Sequence, residues 1–228
     1  MHEGTVRYTF KFSGEEFSFD VDSKSEPLPV KTDYPDWTRL TYHQCECCPL
    51  KRSEVRYCPA ATKIHSLITE FSDKISTERA NVSVHTNQRT YLADVDLQVG
   101  VNSLLGLLMA KSGCPVLKPL KTMADFHIPF CSTRETLFRT IGAYLTQQFF
   151  IRKNGGDPDW DLEGLSALYN DLEGLNRDFS ERIKGLISGD VMVNAIILFF
   201  ATSVVVNTSL EQHLDDEEGY FTGSDTPQ

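Results

Sequence analysis

Four of the six cysteines, Cys45, Cys47, Cys48 and Cys58, crowd into one short stretch, HQCECCPLKRSEVRYCP, which His43 opens. Cysteine and histidine are preferred zinc ligands, and a C-x-x-C turn such as Cys45–Cys48 lets two sulfurs converge on one ion. Cys58 precedes Pro59, and proline suits the first position of a helix. A thiol there feels the positive end of the helix dipole, which favours the thiolate that a metal or a nucleophilic reaction needs. The leading expectation is a structural zinc site on Cys45, Cys48 and Cys58. His43 is the first choice for the fourth ligand, and Cys47 and His65 are the others. An iron–sulfur cluster is a second possibility, with Cys114 as the fourth thiolate, although the spacing departs from ferredoxin runs. A third is a redox or metal sensor working through the Cys45/Cys48 pair. The plain alternative is a set of reduced cysteines that only pack, since free cysteine is among the most buried residue types.

A second chemical candidate lies in SGCPVLKPLKTMADFHIPFCS, residues 112–132, which carries Cys114, His127 and Cys131. A thiol-dependent enzyme would pair the Cys114 nucleophile with His127 as its base, Asp125, Glu135 or Arg139 being near in sequence. No Walker loop, dinucleotide-binding glycine motif, metalloprotease H-E-x-x-H or serine-hydrolase G-x-S-x-G occurs. The formal net charge of −10 argues against nucleic acid and against an anionic membrane surface as partner. A protein partner or self-association suits it better. The first ten residues lack the basic start and apolar run of a signal peptide, so a cytoplasmic, reducing setting is expected.

The elements that must position these residues are legible from periodicity. Val6, Tyr8, Phe10 and Phe12 share one face of a strand, and Phe17, Phe19 and Val21 share one face of the next, with a Ser13-Gly14-Glu15 turn between. The polar, proline-rich run that follows reads as a linker. Beyond Cys58, Ile64, Leu67, Ile68, Phe71 and Ile75 form a helical stripe. Residues 81–86 and 88–96 read as two more strands. Leu97–Ala110 reads as a buried helix ending near Gly113, and residues 112–132 as a long loop. Ser132 and Glu135 form a capping box opening a helix that stops by Gly155. Asp161–Ile187 carries Leu162, Tyr169, Asn176 and Ile183 at one heptad position and Leu165, Leu172, Phe179 and Leu186 at another, a bundle helix. The run from Asp190 to Leu214 is apolar nearly all round, which predicts the centre of that bundle rather than a membrane span.

Three stretches together carry a resemblance: HQCECCPL with the later YCPAA, DLQVGVNSLLGLLMAKSGCP, and FHIPFCSTRETLFRTIGAYLTQQFF. They resemble a family of uncharacterised bacterial proteins, a domain of unknown function, with Q-C-x-x-C-P-L, C-P, S-G-C-P and F-H-x-P-F segments in that order. The resemblance implies a bacterial cytosolic protein and no particular activity. It leaves Cys47 at a variable position of the motif.

The fold expected is α+β: a small antiparallel β-sheet with one helix and a cysteine knuckle, then a C-terminal helical bundle. The division expected is 1–96 with the knuckle at 37–60, 97–214 for the bundle, and an acidic tail at 215–228. The function expected is that of an accessory or interaction protein with a structural zinc site.

Overall fold

The computed structural model describes residues 4–22 and 33–210; the proline-rich linker and the acidic tail fall largely or wholly outside them. The fold is α+β. Strands β1 (Val6–Phe12), β2 (Glu15–Val21), β3 (Arg79–His85) and β4 (Thr90–Asp96) form an antiparallel sheet in the order β2-β1-β3-β4. Alternation puts Tyr8, Phe10, Phe12, Val82 and Val84 on one face, where they are buried. Register pairs Phe10 with Phe17 on one side and with Val82 on the other.

Helices α1 (Pro59–Phe71) and α2 (Leu97–Ala110) cover that face. The stripe of α1 ends in Phe71, whose ring lies 5.2 Å from that of Phe10 and 5.8 Å from that of Phe19. Ile75 lies past the end of this helix and is exposed, so the apolar pattern outruns the element. Gly100 lets α2 approach the sheet: a Cβ there would stand 2.8 Å from Phe10 Cε1 and 2.9 Å from Val82 Cγ2.

The remaining helices are α3 (Lys121–Asp125), α4 (Thr133–Lys153), α5 (Glu163–Ile183) and α6 (Val191–Thr208). The capping box of α4 forms: Ser132 Oγ accepts from the Glu135 N–H, and Glu135 Oε2 accepts from the Ser132 N–H at 2.8 Å. The expected loop at 112–132 is not wholly irregular, because the 3-10 turn Lys118–Leu120 runs on into α3. The heptad side chains of α5 are buried, Leu165, Tyr169, Leu172, Asn176, Phe179 and Ile183 among them.

The expectation for α6 needs correction. It packs on α2 and α5 and more lightly on α4 and α1, but it is not enclosed as the centre of a bundle, since Val193, Ile197, Val204 and Val205 are exposed. No helix covers its far side among the described residues, so an all-round apolar sequence meets a one-sided environment. By length and composition α6 is apolar enough to cross a membrane, with a mean hydropathy of 2.0 and 39% of the segment buried. The buried side chains of the sheet and of the helices form one contiguous core.

Candidate functional site: a thiol-lined void beneath the knuckle

The knuckle is irregular and is closed at its base by backbone pairing. Leu40 N–H donates to Arg56 O at 3.0 Å, Cys58 N–H donates to Thr38 O at 2.8 Å, and Arg39 bridges Tyr57. The buried side chains of Trp37 and Leu40 anchor this base. Within the loop, Cys48 N–H donates to Cys45 O at 3.0 Å, the tight turn that C-x-x-C spacing calls for. Cys58 is the N-cap of α1 with Pro59 at its first position, as the sequence suggests.

Cys114 arrives from the other half of the chain. Gly113 adopts φ +81°, a left-handed conformation that turns the chain out of α2 and that glycine adopts without penalty. Cys114 N–H then donates to Ser112 Oγ, and Leu117 N–H donates to Cys114 O. Cys45, Cys48, Cys58 and Cys114 all line one void of about 10 Å³, walled otherwise by Leu40, Leu50, Val116, Leu175 and Phe179. A space of that size holds a single water-sized sphere.

Helix α5 straps the knuckle onto this void through Arg182, which is 1% exposed. Its Nη1 donates to Trp37 O at 2.8 Å and to Arg39 O at 2.7 Å. Its Nη2 donates to Leu40 O at 3.3 Å and to His43 O at 3.2 Å. The Nε–H is buried and has no acceptor, and Arg182 forms no ion pair among the described residues. A guanidinium stays charged in proteins, so a buried cation borders the four thiols with no carboxylate against it. One turn earlier, Asp178 Oδ2 accepts from the Glu46 N–H at 2.9 Å and holds the tip of the knuckle.

Burial governs the thiols. It pushes Cys45 up to about 12, with Cys58 and Cys47 adding to the rise and Arg182 opposing it. It pushes Cys114 up to about 11, against the N–H groups of Leu117 and Val116. Both are therefore protonated at neutral pH unless a cation displaces the proton. Among the described residues, no three His, Cys, Asp or Glu side chains are already gathered to hold a metal ion. The four cysteines line the space without being drawn together around it.

The other candidate residues lie elsewhere. His43 is exposed at φ +42°, and its ring packs 4.8 Å from that of Tyr42; it gives Arg182 its carbonyl, while its side chain does not line the void. His65 packs against Tyr34 and Trp37, with Nδ1 buried and unpartnered. The Cys47 thiol turns to Asp171 O at 3.9 Å. Cys114 and His127 line different cavities, so the nucleophile and base of the thiol-enzyme reading are not brought together. Cys131 Sγ accepts from Arg139 Nη1 at 3.3 Å. Sequence reasoning missed Arg182, which sits beside the heptad seam of α5 and reads there as a surface residue.

A family model described as a domain of unknown function, DUF6901, matches residues 5–222. No curated protein and no solved structure matches the chain.

Proposed function

The chain belongs to the DUF6901 family, which brings no activity with it, and we propose that it is a non-enzymatic interaction protein whose knuckle is clamped by a metal centre on Cys45, Cys48, Cys58 and Cys114. The observation that carries this is the meeting of four thiols from three separate segments around one ion-sized void. Zinc is the metal of choice, because structural zinc takes four thiolates tetrahedrally and a single ion suits the space. An iron–sulfur cluster would use the same ligands but needs more room. Binding would draw the sulfurs inward by rotation about their Cα–Cβ bonds and release their protons. Four thiolates around a divalent ion carry a formal charge of −2, and Arg182 supplies a buried positive charge beside them. A cytoplasmic setting keeps the thiols reduced.

The interaction role is supported by the exposed apolar residues of α6. Between Val191 and Thr208 the chain carries no charged residue, so two copies of an otherwise acidic protein can approach there without like-charge contact. Self-association through α6 is the form of assembly proposed.

Metal analysis and spectroscopy of the purified protein test the centre. The expected result is one zinc per chain, no visible chromophore, and loss of cooperative folding on chelation. A brown protein absorbing in the visible would replace zinc with an iron–sulfur cluster on the same ligands. A metal-free protein whose melting is unchanged by chelators and by added zinc would overturn the proposal.

A further inference from the structure

A second, half-open cavity of about 200 Å³ lies among α2, α3, α4, α5 and α6, away from the thiols. It is smaller than the ~300–1,000 Å³ of sites for drug-sized ligands. Leu107, Met123, Leu172 and Phe199 give it an apolar floor, and Arg139 is the one charged side chain in its wall among the described residues.

Arg139 is only partly used. Its Nη2 donates to Met123 O at 3.0 Å and Phe126 O at 2.9 Å, and its Nη1 to Cys131 Sγ at 3.3 Å. Of its five N–H groups, the Nε–H and one Nη1–H have no acceptor among the described residues, and the guanidinium has no ion pair there. A fixed cation facing an apolar cavity with two free donors is matched by a carboxylate, which guanidinium recognises in a planar fork.

The other polar groups are built for recognition rather than proton transfer. His127 Nε2 lies 2.5 Å from the Tyr8 hydroxyl, which lies 2.8 Å from Ser103 Oγ, and the Phe130 N–H donates to that same Oγ. Burial pushes His127 down to about 3, with Arg139 and Lys111 adding to the fall, so its ring is neutral at physiological pH. Burial raises the Tyr8 phenol well above its ordinary value. The wall thus holds neutral dipoles and a single positive charge. Asn102 also lines the space, but its Oδ1 is fully buried without a donor and does not face the cavity.

We propose that this cavity binds a small monocarboxylic acid, its carboxylate on Arg139 and its apolar body on Leu107, Leu172 and Phe199. The site is independent of the thiol centre, since the two share no lining residue.

Titration calorimetry of the full chain with benzoate, 4-hydroxybenzoate, hexanoate, benzyl alcohol and inorganic phosphate tests it. The expected result is saturable binding of the carboxylates, with the alcohol and phosphate at least tenfold weaker. Arg139→Gln should weaken carboxylate binding tenfold or more. Because Arg139 also holds the carbonyls of Met123 and Phe126 at the end of α3, a second variant, Thr202→Phe, fills the cavity from α6 and leaves Arg139 in place; it too should abolish binding. No saturable carboxylate binding, equal binding of alcohol or phosphate, or unchanged binding in Thr202→Phe would overturn the proposal.

Discussion

The two cavities share a device and differ in what it closes. In each, an arginine from a long helix donates to backbone carbonyls of a distant segment: Arg182 to residues 37–43 of the knuckle, Arg139 to Met123 in α3 and Phe126 at its end. Arg182 is fully buried and commits both of its terminal nitrogens to four carbonyls, and the space beside it is ion-sized and lined with thiols. Arg139 is part-buried, keeps two donors free, and borders a space twenty times larger whose other polar lining, His127 and Cys131 among it, is uncharged. The same side chain therefore serves a sealed centre in one place and an open, exchangeable site in the other. Helix α5 joins them, since Leu172 lines one cavity and Leu175 and Phe179 the other.

The largest effect that sharpens this contrast concerns the thiols. Cys48→Ser should remove a ligand and lower stability by upwards of about 4 kcal/mol, the scale of a lost metal site. Cys131→Ser, whose sulfur accepts from Arg139 and donates to Ile128 O, should cost far less in the same thermal melts. Equal melting temperatures would erase the distinction between the two regions.

The arginines come next. Arg182→Met strands four backbone carbonyls in the interior and should cost on the order of 3–5 kcal/mol in denaturant unfolding. Arg139→Met, with its carbonyls closer to solvent, should cost less than half of that. A reversed order would mean that the open cavity, not the knuckle, is the more tightly held part.

A pH dependence follows from His127. Its folded value, about 3, lies below its ordinary value of 6.5, so over that interval the unfolded chain binds the extra proton. Stability is complete above about pH 6.5 and is lost as pH falls toward 3, by about 2 kcal/mol between pH 7 and pH 5. His127→Gln should flatten that slope, as denaturant unfolding at several pH values would register. The smallest effect on stability, though not on assembly, is expected for Ile197→Asp. It should leave the melting temperature within a few degrees and shift sedimentation to the monomer; a wild-type chain that is already monomeric would remove the assembly proposal.

Much of this architecture is written in local pattern. Alternation of Tyr8, Phe10 and Phe12 marks the buried face of β1, the Ser132/Glu135 box marks the start of α4, and the heptad residues of α5 mark its buried side. Three features escape such reading, each for a physical reason. Cys114 enters the sequence reading only as the fourth thiolate of the iron–sulfur alternative, because it joins the other thiols through tertiary closure across more than fifty residues and carries no spacing signal. His43 adjoins the cysteines in sequence, yet its positive-φ turn sends the ring outward onto Tyr42. Arg182 and Arg139 satisfy backbone carbonyls, a role with no periodicity, and arginine on a helix reads as solvent-facing. The exposed flank of α6 is the converse case, in which apolar sequence overstates burial because hydropathy does not say how many neighbours a helix will find.

The most direct test of the thiol centre is its ligand set. Zinc stoichiometry should be measured by elemental analysis on the wild type, Cys114→Ser and His43→Ala, all purified without chelator. The account predicts one zinc per chain in the wild type and in His43→Ala, and a large loss in Cys114→Ser. Zinc retained in full by Cys114→Ser, but lost from His43→Ala, would contradict it.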